Sequence, residues 1–238
     1  MTMKMNFALP KAVLPFIKGK MDDFYLAGGT ALSMFYYEHR ESFDLDFFTQ
    51  SYSRDHVIRV IENLKKDSGW SVELIKEKNE KGFIGVAIYM IHMEQGECKI
   101  DFVEDYIKCL NPFKRVEDMN ILSLEDIYLR KVYAIAGHVS RINDIGKEIL
   151  TGGRQTAKDF YDIYCLSTIT MPLSEFISKH CPLVIKEGVV HWYRTYDRLA
   201  MKTGLSDLVT KTRPDYRMID NHFKVEVNKL LATLIEGK

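Results

Sequence analysis

Two aspartates, Asp44 and Asp46, stand inside an otherwise apolar stretch, Phe43-Asp44-Leu45-Asp46-Phe47-Phe48. Residues 43–49 read as a strand, and its side-chain period of two sends both carboxylates off the same face. Paired acids among Phe and Leu are costly unless a cation lies between them, and hard divalent cations such as Mg²⁺ take oxygen ligands of this kind. Upstream, Leu26-Ala27-Gly28-Gly29-Thr30-Ala31-Leu32 follows a short buried strand at 24–26. Its glycines read as a turn that lets the backbone approach something closely, with Thr30 as the N-cap of a helix running to about Glu38. A glycine turn at a helix N-terminus suits phosphate, and a carboxylate pair suits magnesium. Together they predict a nucleoside-triphosphate site.

Gly28-Gly29-Thr30, a short helix and then His39-Arg40-Glu41-Ser42-Phe43-Asp44-Leu45-Asp46-Phe47-Phe48 resemble the opening signature of the AbiEii/AbiGii-type nucleotidyltransferases. Those are toxin components of abortive-infection and related toxin–antitoxin systems, with a DNA polymerase β-like nucleotidyltransferase fold. With the pieces below, the resemblance covers roughly residues 20–165. It implies a third carboxylate on a strand beside the Asp-x-Asp strand, and Asp101 in Lys99-Ile100-Asp101-Phe102-Val103 matches that role. From the residues alone, Asp101 could also face water or pair with Lys99.

Lys158-Asp159-Phe160-Tyr161-Asp162 again resembles the family pattern, in which a Lys-Asp-x-x-Asp helix follows a helix bearing a lysine. On that match Lys131 would hold the triphosphate, and Asp159 would orient it or position the attacking group. Spacing alone leaves other roles open. Lys158 and Asp162 could form a surface i, i+4 pair, and Lys131 could be solvated on an amphipathic helix. The insert at 137–153 lengthens the gap between the two helices. Arg40 could contact substrate phosphates, or fix its loop by pairing with Asp44 or Glu41, while Ser42 caps a turn.

Length and composition suit a globular chain with a sizeable core: 238 residues, 46% hydrophobic and 28% charged. Net charge is zero, so the whole chain lacks a basic nucleic-acid footprint. Up to residue 120 there are 16 basic and 19 acidic residues, and beyond it 17 and 14, which places the acids with the proposed metal site. Four cysteines without zinc or redox spacing fit a reducing cytoplasm. No signal peptide and no membrane-spanning apolar run is expected. Neither a Gly-x-Ser-x-Gly elbow nor a Gly-x₄-Gly-Lys phosphate loop occurs, which removes readings that rest on those motifs.

Periodicity predicts an α/β (α+β) fold: a mixed sheet over 1–110 with a helix-bearing parallel start, then a helical domain over 111–238. The resemblance implies that the first is the catalytic core and that the second contributes to the cleft. Helices are expected at 12–20, from Ser53 to Gly69, from the Ser123 cap, from Thr156, and at 173–180, 185–201 and 216–235. Strands are expected at 70–76, 83–91 and 98–103, and a linker at 105–122. The reading is a Mg²⁺ (or Mn²⁺)-dependent transfer of a nucleoside monophosphate from an NTP to an acceptor hydroxyl. Asp44, Asp46 and Asp101 would hold the metal; Gly28, Gly29 and Thr30, with Arg40 and Lys131, would hold the phosphates. The resemblance implies an RNA acceptor such as tRNA and a separate antitoxin protein. Alternatives are a small-molecule acceptor of the aminoglycoside kind, a protein hydroxyl, or a non-catalytic binding module on the same fold.

Overall fold

A computed structural model describes residues 5–80, 82–142, 146 and 148–236, and divides the chain into two compact units, Met1–Ile127 and Tyr128–Lys238. In the first, helix α1 (Ala8–Ile17) precedes strand β1 (Tyr25–Ala27), whose three residues are all buried. Helix α2 (Gly28–Leu32) begins at once and continues as a π-helical turn, Ser33–Tyr37. Then come β2 (Leu45–Thr49), α3 (Arg54–Ser68), β3 (Ser71–Lys78), β4 (Val86–Met93) and β5 (Gly96–Glu104). Strands β6 (Lys114–Val116) and β7 (Met119–Ile121) lead into α4 (Leu124–Ala136), which crosses from the first unit to the second.

Local chemistry explains the helix ends. Ser53 accepts from His56 N, Gly69 closes α3 at φ 72°, and Ser123 Oγ accepts from Asp126 N. The Asp126 carboxylate also accepts from Leu110 N and Asn111 N, fixing the loop ahead of α4.

The seven strands form one mixed sheet in the order β3-β4-β5-β2-β1-β7-β6. Strict alternation in β4 and in the middle of β5 gives it a dry face bearing Ala87, Tyr89, Ile91, Cys98, Ile100 and Phe102. On this face α1 packs against β5 and α3, and burying a ring such as Phe102 contributes about 1.5–3 kcal/mol. The opposite, half-open face of β2 and β5 carries Asp46, Lys99 and Asp101.

The start of the sheet is not parallel: β1 and β2 run antiparallel, and β2 finds its parallel neighbour in β5. Residues 38–44 turn back at Glu38, which adopts φ 50°, and return to the beginning of α2, so β2 starts beside the end of β1. The segment at 105–122 is more than a linker, because β7 pairs parallel with β1 and β6 pairs with β7, extending the sheet. Thr30 likewise lies inside α2 and does not cap it, since the positive φ of Gly28 lets the helix begin at Gly28, three residues earlier than a Thr30 cap would.

The second unit holds the remainder of α4, an antiparallel pair β8 (Val139–Ile142) and β9 (Glu148–Thr151), and helices α5 (Ala157–Ile169), α6 (Leu173–His180), α7 (Leu183–Thr195), α8 (Arg198–Ser206) and α9 (Tyr216–Glu236). The single helix expected at 185–201 is two: Tyr196 is extended, and Asp197 starts α8 by accepting from Ala200 N. Stacked rings join the helices, Tyr128 on Phe176 with centroids 4.0 Å apart and Phe160 on Phe223 at 4.7 Å. The insert at 137–153 carries the β8–β9 pair and returns so tightly that Arg154 N donates to Ala134 O. Among the described residues, no helix is long and apolar enough to cross a membrane.

Gly153 lies against the last turn of α4, where an added Cβ would run into the Ile135 carbonyl. Backbone atoms cannot step aside as a flexible side chain can, so Gly153→Ala is expected to cost about 1–3 kcal/mol. A lowered urea midpoint at unchanged m-value would show it; an unshifted midpoint would mean that the return from β9 is looser than described.

Candidate functional site

The first unit gathers Gly28, Asp44, Asp46, Lys99 and Asp101 around the junction of β1, β2 and β5. Thr30, fully buried, ties the returning loop to α2: its hydroxyl donates to the Asp44 carbonyl and lies 2.7 Å from Ser42 Oγ. Asp46 then stands in register between Ala27 on β1 and Asp101 on β5. Gly28 has φ +69° and an added Cβ there would run into the Asp46 carboxylate. Only glycine permits both the turn and the approach. Asp44 sits just ahead of β2, two residues from Asp46 and half-buried like it.

On β5, Lys99 and Asp101 share a face, and Lys99 Nζ lies 2.7 Å from Asp101 Oδ2. The pairing with Lys99 and the place beside β2 therefore occur together at Asp101. Burial pushes the Asp101 carboxyl up and Asp44 adds to this, against Lys99, leaving it above the usual carboxylate range. Burial works against the Lys99 ammonium, but Asp101, Asp44 and Asp46 outweigh it and hold its pKa above the ordinary lysine value. Beside them, Cys98 donates to Phe43 O, and burial, with Asp44, pushes its thiol up to about 12. It stays a thiol.

Among the described residues, no group of three or more His, Cys, Asp or Glu side chains is drawn together closely enough to hold a metal ion. The donor chemistry still fits a hard cation. Asp101 Oδ1 is buried with no hydrogen-bond partner, a defect that costs about 1–3 kcal/mol where nothing fills it. Its in-register neighbour is the carboxylate Asp46, and all the ligating atoms on offer are oxygens.

The nearby basic group is placed differently. Arg40 is 2% exposed and donates to the Glu41 carbonyl, a geometry that supports the loop-fixing reading. His39 is also buried, with Nδ1 3.3 Å from Ser33 Oγ. Gly29 follows Gly28 in the first turn of α2 and is buried.

The second unit brings Lys131 and Asp159 together and adds Asp162, Arg154 and Thr156 to them. Lys131 Nζ lies 2.6 Å from Asp159 Oδ1 and 2.7 Å from Asp162 Oδ2. Asp162 is therefore no surface partner of the exposed Lys158; it is fully buried. Arg154 grips Asp159 through Nε at 3.0 Å and Nη2 at 3.1 Å, and Thr156 caps α5 while donating to the same carboxylate. Burial pushes Asp159 up, but Lys131 and Arg154 outweigh it and hold its carboxyl below the usual range. Arg154 was not foreseen, because nothing in its local sequence points to a partner five residues on.

Removing one member of such a buried set strands its partners, typically at a cost of 3–5 kcal/mol. Lys131→Met is expected to lose stability of that order, about 3–5 kcal/mol, at pH 7. Asp159, with a lowered folded pKa, stabilises the wild type above the ordinary carboxylate range and loses that contribution as pH falls through its folded pKa. Carboxylates stripped of the lysine instead take up protons and recover. The deficit should therefore narrow between pH 7 and pH 4 in urea melts, whereas a constant deficit would point to packing alone.

The family model for the nucleotidyl transferase AbiEii toxin of the type IV toxin–antitoxin system matches residues 17–232. Two solved structures resemble the whole chain. One, a Helicobacter pylori protein described as a candidate nucleotidyltransferase, shares 16% identity over 96% of both chains at a TM-score of 0.56. The other, JHP933 from Helicobacter pylori, shares 16% identity at a TM-score of 0.54, covering 95% of this chain and 94% of its own. At that identity the likeness concerns the fold. No curated protein matches the chain in sequence. With nearly its full length matched, this chain belongs to the AbiEii nucleotidyltransferase toxin family.

Proposed function

We propose that the chain transfers a nucleoside monophosphate from an NTP to a hydroxyl of RNA, such as tRNA, with a divalent cation, Mg²⁺ or Mn²⁺, held by Asp44, Asp46 and Asp101. The observation that carries this reading is the Gly28–Asp46 approach, with Asp101 in register on the far side of Asp46 and one of its oxygens unpartnered. A cation bound there would neutralise triphosphate charge. The chain's own part is positional. Gly28 and Gly29 offer backbone N–H groups at the start of α2, while Thr30 fixes the loop that presents Asp44. An acceptor hydroxyl attacks the α-phosphorus, the bond to pyrophosphate breaks and the hydroxyl proton passes to solvent, with orientation and charge neutralisation supplying most of the acceleration.

An RNA acceptor is supported by charge distribution. Residues 128–238 carry 17 basic against 12 acidic side chains, although the whole chain is neutral. Exposed Arg194, Arg198, Lys202, Lys211, Arg213 and Arg217 supply much of that excess. Arg154, held by Asp159 yet with its side chain 58% exposed, is the member of the buried set open to an anion. Membership of a toxin–antitoxin family supports a separate antitoxin partner.

Incubation with each of four α-³²P-labelled NTPs, Mg²⁺ and total RNA tests the reading. Label is expected in a tRNA-sized band, reduced at least ~10²-fold by Asp46→Asn, which keeps the side chain's shape beside Gly28. Absence of label from RNA, with the variant indistinguishable from wild type, would overturn the RNA acceptor.

A further inference from the structure

Lys99 belongs to no motif of the Asp-x-Asp signature, yet its ammonium pairs with one of the three acids. It lies 2.7 Å from Asp101 Oδ2, and Asp44, Asp46 and Asp101 all act on it electrostatically. The pair is asymmetric. One oxygen of Asp101 is taken by Lys99, while the other is buried and has no partner. Side chains two apart on one strand face share a pleat, so the tether is local to β5 and independent of any loop.

We propose that Lys99 is a positioning residue for the divalent cation: it holds Asp101 by Oδ2 so that Oδ1 is turned to the metal. The inference rests on the metal-site reading above. Two physical arguments favour it over an ammonium that merely occupies the cation's place. A competing cation would be drawn to the unpartnered oxygen, yet that oxygen is the one left bare. Charge also balances with Lys99 in place. Three carboxylates and one ammonium leave two negative charges, which one divalent cation neutralises, so the nucleotide-free chain is expected to take up a single metal ion. Carboxylates that ligate metals are commonly fixed in this way by an outer partner, whose loss weakens metal affinity 10–100-fold.

The test reads metal binding, not turnover. Mn²⁺ is titrated into the nucleotide-free full chain, free Mn²⁺ is followed by electron paramagnetic resonance, and melting temperature without metal is recorded. Wild type should bind one Mn²⁺, Lys99→Met should bind it at least ~10-fold more weakly, and Asp101→Asn should do the same. Lys99→Arg, which keeps both the charge and the donor, should recover most of the affinity at an unchanged melting temperature. Should Lys99→Met not fold, Lys99→Gln reads the same loss of charge with a donor retained, and intermediate affinity is expected. Equal or tighter Mn²⁺ binding by the neutral variants would overturn the proposal and make Lys99 a competitor for the site. If wild type takes up no Mn²⁺ that Asp46→Asn abolishes, the metal site itself falls, and the role of Lys99 with it.

Discussion

The backbone of Gly28 lies against the Asp46 carboxylate because no side chain stands between them, and the order of the first unit follows from that approach. A left-handed φ at Gly28 turns β1 directly into a helix, which needs only a short run before the chain reverses at Glu38. The returning loop is then caught at the helix start by the Thr30 hydroxyl, so β2 must descend beside β1 with Asp46 opposite Ala27. Turn, clamp and register are three views of one constraint. A larger residue at 28 would strain the left-handed turn and displace the Asp46 carboxylate from its place beside it.

The two charged clusters of the chain solve opposite problems. Around Lys131, two carboxylates share one ammonium, Arg154 and Thr156 fill further lone pairs, and the group is buried and well satisfied. Around Lys99, a single ion pair leaves one buried carboxylate oxygen of Asp101 without a hydrogen-bond partner. The first is arranged as a fixed point of the helical unit, at the desolvation cost that buried ions carry. The second retains the unmet valence that a ligand can use.

Much of this was legible wherever one residue type meets one local geometry. Ser53, Ser123 and Thr156 were recognisable as helix starts, Gly69 as a helix end, and the period of two placed Lys99 with Asp101, whereas Asp44 falls just ahead of the strand expected to carry it. What stayed hidden depends on partners remote in sequence. Nothing in residues 38–44 says that they will run back to Thr30, and three-residue strands such as β7 carry too little pattern to stand out from a loop. The gripping of Asp159 by Arg154 requires the β8–β9 insert to fold back onto α4, which periodicity does not encode. The break at Tyr196 was masked because apolar spacing runs on from α7 into α8.

One further consequence concerns the β4–β5 hairpin. Met93 pairs with Gly96, so the strands are joined by Glu94 and Gln95 alone. From there, odd and even positions of β5 part company: Cys98, Ile100 and Phe102 enter the core, while Lys99 and Asp101 leave it. A strand whose alternate positions hold core and chemistry behaves as a reading frame. Gaining or losing one residue would send an ion pair into the apolar layer and a phenyl ring into the acidic face. Side chains in this hairpin can therefore drift while their number cannot, which makes the length of a surface turn as much a property of the site as its aspartates.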